Sequence, residues 1–221
     1  LKKSECLKQL QQFKDAFSVL LRVNFVGLSD SLIYEVRYQT SLCAYLNGNF
    51  NEAESQLAQA HHFIHDTTLT STSLFLYGLI LNEQGKWADA KEKILKGIKS
   101  SGFHNFQQDS LISIINNLYV QQNYPKLKKL SKAQTLSIFI PGLGQIYAGS
   151  GKHGFINAAL ILISVGYMGF NIYTHHYIAA LTVSSAIFQR FYSGGINHLE
   201  FLVEKKNHEL MRKYNDKVRD I

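Results

Sequence analysis

The segment Gly48-Asn49-Phe50-Asn51-Glu52-Ala53 decides the fold of the first part of the chain, because it recurs after 37 residues. It returns as Gly85-Lys86-Trp87-Ala88-Asp89-Ala90 and, in weaker form, over residues 122–127. Aromatic residues recur at one position of this repeat: Phe13, Phe50, Trp87 and Tyr124. Small or apolar residues recur three positions later: Ala16, Ala53, Ala90 and Leu127.

A repeat of this length indicates stacked helical hairpins, in which each unit buries its apolar face against the next. The small residue lets two helices approach closely, the aromatic residue fills the gap beside the turn, and glycine ends the first helix of each pair. Strand signals are scarce. We therefore predict an all-α fold with helices at about 3–22, 30–47, 51–65, 70–84, 87–99, 107–121 and 125–132.

The pattern over residues 1–130 resembles the tetratricopeptide repeat, which has a glycine before an aromatic residue and an alanine three positions on. The usual period is about 34 residues, so each unit here is longer. Ser41 and Gly78 match the small residue of the family's first helix, whereas Arg37 and Leu74 stand where the family has tryptophan. The resemblance implies a concave groove that binds a peptide or a partner protein; an unrelated stack of helical hairpins is the alternative.

Residues 134–189 contain neither Asp nor Glu, and their one Lys or Arg is Lys152. The apolar run Gly154–Tyr173 has the length that a helix needs to cross about 30 Å of hydrocarbon. A second apolar run, over 177–188, is shorter. This composition predicts a C-terminal membrane hairpin.

The motif P-G-L-G-Q precedes these runs at Pro141–Gln145. Pro141 prevents an uninterrupted helix, and Gly142 and Gly144 allow a sharp turn and a close helix approach. The amide of Gln145 should not face lipid without a partner. Tyr147 is expected at the headgroup level, where aromatic residues concentrate.

Three polar residues, Asn157, Ser164 and Asn171, recur every seven positions and so share one face of the first apolar helix. This face should pack against the second helix or a partner rather than lipid.

The order P-G-L-G-Q-I-Y-A-G, apolar helix, F-Y-S-G-G-I-N resembles a family of small bacterial membrane hairpins over about 134–215, often joined to tetratricopeptide domains behind a signal peptide. Ser193-Gly194-Gly195 stands at an expected turn. We therefore predict a repeat domain over 1–133, a membrane hairpin over 134–195 and a basic amphipathic helix over 196–221.

The net charge is +7, and basic residues flank the apolar block on both sides. This placement favours anionic lipid headgroups as partners. No nucleic-acid recognition motif accompanies the charge, so nucleic acid is not predicted as a partner.

Cys6 and Cys43 are the only cysteines. If the first two helices are antiparallel about a turn near residue 26, these thiols come close enough for a disulfide, which would place the domain in an oxidising compartment; two separate buried thiols are the alternative. His61, His62 and His65 are interpreted as an exposed cluster, and no metal or other cofactor is predicted.

These features predict a non-enzymatic, membrane-anchored interaction scaffold or accessory subunit, whose hairpin binds other membrane proteins and whose groove binds a protein or peptide. The alternatives are an envelope or lipid-processing enzyme, for which no catalytic residues can be assembled, and a channel subunit formed by hairpin oligomers. The basic flanks favour a cytoplasmic repeat domain. The missing initial Met, the disulfide and the family resemblance favour the periplasmic face of a bacterial inner membrane, which is our expectation.

Overall fold

The computed structural model of the protein describes residues 1–64, 71–102 and 105–220, with the backbone alone at Asn105 and Ser184. Within these ranges the regular structure is helical and no strand occurs. The α-helices, numbered along the chain, are α1 (Lys2–Gln9), α2 (Phe13–Leu20), α3 (Asp30–Leu46), α4 (Phe50–Phe63), α5 (Leu74–Glu83), α6 (Trp87–Ser100), α7 (Asn105–Leu118), α8 (Leu130–Phe139), α9 (Leu143–Tyr147), α10 (Gly151–Tyr173) and α11 (Tyr177–Arg219).

The chain divides into two compact units. The first contains Leu1–Tyr124 and Tyr214–Ile221, and the second contains Pro125–Lys213. The predicted boundary between residues 133 and 134 therefore differs from the structural one, and the last residues of α11 belong to the first unit.

Antiparallel helix pairs build the first unit, with α3 packed on α4 and α5 packed on α6. Gly48 turns the chain between α3 and α4 with φ +76. The side chain of Asn49 then accepts a hydrogen bond from the Glu52 amide and so satisfies one free donor at the start of α4. Leu57 and Ile80, both fully buried, join the two pairs in one apolar cluster. The predicted all-helical stack of pairs is confirmed.

The predicted first helix over 3–22 is wrong, because the chain forms α1 and α2 there, separated by a turn. Gln11 occupies this turn with φ +58, and it lies 37 residues before Gly48 and 74 before Gly85, which have φ +76 and +75. The repeat therefore extends to the first turn, but a glutamine there hides the usual glycine signal.

The predicted helix over 125–132 is also wrong. Residues 121–123 form a 3-10 turn, the next six residues are not helical, and α8 starts at Leu130. Pro125 favours an extended conformation at the residue before it, and Tyr124 has φ −63 and ψ 141. The amide of Asn207 then donates to the carbonyl of Lys128 and accepts from its N–H, at 2.9 and 2.6 Å, which holds this segment extended. Two other predicted helix ends, at residues 65 and 70, lie outside the described residues.

In the second unit, the short helix α9 packs against both α8 and α10. Gly142 starts it with φ +88. A Cβ at Gly142 would lie 2.9 Å from the carbonyl carbon of Gly154 and closer still to its oxygen. A Cβ at Gly144 would meet the backbone of Ala133 in the same way. The two glycines of the P-G-L-G-Q motif thus allow backbone-to-backbone contact of α9 with both neighbouring helices.

The predicted turn at Ser193–Gly195 does not form, because α11 runs without interruption from Tyr177 to Arg219. Gly195 instead lies inside this helix, where a Cβ would come within 3.0 Å of Cγ of Asn157 and closer to its Nδ2. The glycine therefore allows close packing of α11 on α10. The predicted separate helix over 196–221 is the continuation of α11.

Helix α10 has 23 residues and a most apolar window with mean hydropathy 1.7, of which 17% is buried. By length and composition it could cross a membrane. Among the described residues it is the one helix that meets both conditions.

Candidate functional site

The repeat positions predicted from the sequence lie at the helix starts and in the core of the first unit. Three of the aromatic residues begin α2, α4 and α6, and the three alanines are fully buried: Phe13, Phe50 and Trp87, with Ala16, Ala53 and Ala90. The fourth aromatic residue, Tyr124, begins no helix, but its ring lies 5.0 Å from that of Trp87.

An apolar cavity of about 280 Å³ lies between α5, α6 and α7. Side chains of these three helices form its walls, and residues near the end of α11 close one side: Phe75, Leu79, Ile94, Ile98, Leu111 and Ile115, with Val218 and Arg219. The sequence predicted a groove on the stack but not that residues near the chain's own C-terminus would form one of its walls.

Residues Tyr214–Arg219 are called the C-terminal segment. Tyr214 attaches this segment to the helical pairs. Its ring lies 5.6 Å from Trp87, 5.9 Å from Tyr124 and 6.1 Å from Tyr119. Its hydroxyl donates to the carbonyl of Leu118 at 3.2 Å. Burial strongly raises the pKa of the Tyr214 phenol, so this hydroxyl remains a donor at any physiological pH.

Polar contacts extend the attachment of the C-terminal segment. Asn215 donates from Nδ2 to Glu83 at 3.0 Å, and Arg219 lies 3.6 Å from the same carboxylate. Nearby, Oδ1 of Asn215 and Nδ2 of Asn82 are buried without a hydrogen-bond partner. Such atoms cost about 1–3 kcal/mol each, which offsets part of what these polar contacts contribute, so the aromatic contacts of Tyr214 remain the main attachment of the segment.

In the second unit the P-G-L-G-Q motif places Gln145 inside the protein, with 3% of its surface exposed. Its Nε2 donates to the carbonyl of Gly195 at 3.2 Å, while its Oε1 is buried without a partner. Tyr147 accepts a hydrogen bond from the Lys129 amide at 3.3 Å, and the ammonium group of Lys128 lies 4.6 Å from its ring. Pro141 lies just before the left-handed turn at Gly142.

The three polar residues of α10 face protein rather than solvent. Ser164 and Asn171 are 2% and 7% exposed, and each bonds a carbonyl of its own helix, at 2.8 Å in both cases. Asn157 faces Gly195 of α11. Ser164 and Asn171 therefore each satisfy a side-chain donor within α10.

Cys6 and Cys43 are free thiols, so of the two alternatives left by the sequence the disulfide is not formed; only Cys43 is buried. The expectation assumed one long first helix, but α1 is short and directs Leu7 toward the cluster of Cys43 while Cys6 remains exposed. Burial raises the pKa of the Cys43 thiol; Lys8 lowers this pKa and Glu5 raises it, both by less than burial does. The structure therefore adds no support for an oxidising compartment.

His61 is half-buried rather than exposed. Its Nε2 lies 2.8 Å from Oγ of Ser73, and its ring packs 5.4 Å from that of Tyr77. Burial, followed by the charge of Lys93, lowers its pKa. His65 lies outside the described residues, and elsewhere no group of histidine, cysteine or acidic side chains is arranged to hold a metal.

Comparison of the chain with protein-family models, with curated proteins and with solved structures gives no match. The structure establishes a fold of stacked helical pairs. Since no comparison matches, both family resemblances remain proposals.

Proposed function

We propose that this chain is a membrane-anchored scaffold, which displays a helical-repeat unit at a bilayer surface and carries no catalytic centre of its own. Stacked pairs of helices offer extended surfaces for protein recognition, and an apolar helix provides the attachment to the membrane. Each of these two elements lies in one of the compact units.

The exposed apolar surface of α10 carries the proposal. Phe155, Leu162 and Ile163 are 74%, 71% and 67% exposed. A core helix of equal hydropathy in a water-soluble protein would be buried, because exposed apolar patches of this extent are rare on soluble monomers. Hydrocarbon is the solvent that makes this surface favourable.

The finer assignment of the first unit is to the tetratricopeptide type. Helix starts, buried alanines and left-handed turn residues all follow the 37-residue period, which supports this assignment although the units are three residues longer than usual. We propose that a protein or peptide partner binds the apolar groove between α5, α6 and α7, and that the hairpin of α10 and α11 contacts other membrane proteins.

Extraction of the natural membrane fraction tests the anchor. The protein should remain with the membrane in alkaline carbonate and be released by detergent. Leu162→Glu should weaken retention, because a carboxylate at the middle of a membrane helix costs about 2.5–3.5 kcal/mol. Phe106→Glu, at a residue that is 86% exposed in the first unit, is the matched control. Release of the unaltered protein without detergent would refute the anchor.

The groove is tested by purification in mild detergent. A stoichiometric protein partner should be lost on Phe75→Asp, because Phe75 lines the cavity and is 38% exposed. Phe106→Asp should retain it. A lone monomer, or a partner equally retained by both variants, would contradict the scaffold function at this groove.

The side of the membrane can be read from the natural cysteines. Cys6 is exposed and Cys43 is buried, so a membrane-impermeant maleimide should label Cys6 alone. We propose the periplasmic face of a bacterial inner membrane, for which labelling is expected in cells with a permeable outer membrane and an intact inner one. Labelling only after the inner membrane is opened would place the unit in the cytoplasm.

A further inference from the structure

We propose that the second unit binds the headgroup of an anionic phospholipid that carries a hydroxyl, in a cleft between α9, the start of α10 and the middle of α11. This inference rests on the proposed membrane anchor and gives that anchor a specific lipid ligand. The cleft has a volume of about 230 Å³ and is lined by polar residues of all three elements: Gln145, His153, Asn157, Arg190 and His198.

Two amide side chains supply the neutral part of the site. Gln145 is buried, and its Oε1 is an acceptor without a partner. Asn157 lies against Gly195, and a larger residue there would collide with its amide. A buried acceptor that finds no donor in the protein loses about 1–3 kcal/mol. Gln145 lines the cleft, and a ligand hydroxyl that moves the atoms covering Oε1 would satisfy it.

The charged part of the site selects an anion. No Asp or Glu occurs between residues 134 and 199, and Arg190 presents a guanidinium that can bind phosphate through two N–H groups. The rings of His153 and His198 lie 5.9 Å apart, and each ring can donate an N–H. The cleft therefore offers a phosphate a guanidinium toward one end and two neighbouring imidazoles toward the other.

A second cleft of about 290 Å³ continues the first, because it is lined by the same two histidines. It adds Lys205 and Lys206, together with the carboxylate of Glu209, which forms an ion pair with Lys206 at 3.3 Å. Lys205 makes no ion pair among the described residues. The excess of positive charge thus extends from the cleft toward the C-terminal half of α11.

The apolar walls of the cleft point to a lipid rather than a soluble phosphate ester. Ile156, Leu160 and Phe191 line it together with the polar residues. The neighbouring side chains of α10 are the exposed apolar ones that carry the membrane proposal. A phospholipid whose phosphate is bound by Arg190 would therefore place its acyl chains on this apolar surface and the hydroxyl of its headgroup near Gln145.

Thermal unfolding of the full chain in mild detergent tests the site, with short-chain phosphatidylglycerol as the probe. A ligand that binds only the folded protein raises Tm by an amount that increases with the logarithm of its concentration above Kd. We expect phosphatidylglycerol to raise Tm, and expect little effect from phosphatidylcholine of equal chain length or from free glycerol phosphate. Arg190→Gln should weaken the apparent affinity about tenfold, the loss of one charge-assisted contact.

Lys152→Gln is the matched control, since it removes an exposed charge of α10 that does not line either cleft. It should preserve the response. An equal rise with phosphatidylcholine, an equal rise with glycerol phosphate, or an equal response of Arg190→Gln would each overturn the lipid site. Carbonate extraction of the same preparations separates this failure from failure of the anchor, because a protein that remains in the membrane without a headgroup preference contradicts only this inference.

Discussion

Among the glycines of this chain with left-handed backbone conformation, Gly142 is the one whose replacement by alanine should be most destabilising. Gly142→Ala should destabilise the second unit. Gly142 has φ +88, and its missing Cβ would collide with the carbonyl group of Gly154, 2.9 Å from the carbon and closer to the oxygen. Both partners of the collision are backbone, so no side-chain rotation can relieve it.

The magnitude has two parts. A left-handed conformation costs an L-residue about 1–2 kcal/mol relative to glycine, and overpacking costs about 1–3 kcal/mol when the surroundings must shift. Gly149→Ala separates them, because Gly149 has φ +86 but the nearest atom to its Cβ would be the flexible side chain of Lys206, at 3.2 Å. We expect Gly149→Ala to cost about 1–2 kcal/mol and Gly142→Ala to cost about 1–3 kcal/mol more.

Far-UV circular dichroism during heating in mild detergent measures the difference. For a chain of this size each kcal/mol corresponds to roughly 2–4 °C in Tm. Gly166→Ala, with open space around its Cβ, should leave Tm unchanged or slightly raised, since alanine favours helix over glycine. Equal losses for Gly142→Ala and Gly149→Ala would refute the contact between α9 and α10.

Three further predictions concern the first unit. His61 should make this unit less stable at acid pH. Its pKa in the folded protein lies below the unfolded value near 6.5, so the unfolded state takes up the proton first as the pH falls. The contribution of neutral His61 to stability is therefore complete above pH 6.5 and decreases as the pH falls toward the folded pKa. His61→Gln should flatten this dependence in urea unfolding at several pH values, and an unchanged dependence in this variant would contradict the assignment to His61. Gln11→Gly should stabilise the unit by up to about 1 kcal/mol because it removes a left-handed non-glycine residue, whereas Gly48→Gln should destabilise it; thermal unfolding with the same sign for both would contradict the shared turn. Tyr214→Ala should cost about 3–5 kcal/mol in the same assay, as for other buried aromatic truncations, while Tyr214→Phe should cost about 1 kcal/mol for the lost hydrogen bond; an unaltered Tm for Tyr214→Ala would show that the C-terminal segment does not pack on the helical pairs.

Local patterns predicted much of the fold. The 37-residue phase predicted the helix starts near Phe50 and at Trp87, because an aromatic residue after a turn residue is a local signal. Phe13 was expected inside a single helix over 3–22, because Gln11 gives no glycine signal at that turn. The composition of residues 154–173 likewise indicated a helix able to cross a membrane. Of the residues that line the candidate lipid cleft, Gln145 was predicted as part of the membrane motif and Asn157 as part of the polar face of α10. Arg190, His153 and His198 were not grouped with them, since their proximity depends on how α10 and α11 pack.

By itself, the sequence determined the helical class, the phase of the repeated pairs and the position of the apolar helix, because each depends on residues within a few turns of one another. Only the tertiary structure decided that Gly195 continues a helix and that Tyr214–Arg219 packs on the first unit. Asn215 and Glu83 lie 132 residues apart in the chain, and a contact over that separation is selected by burial and shape in the folded protein, which no local pattern of residues records.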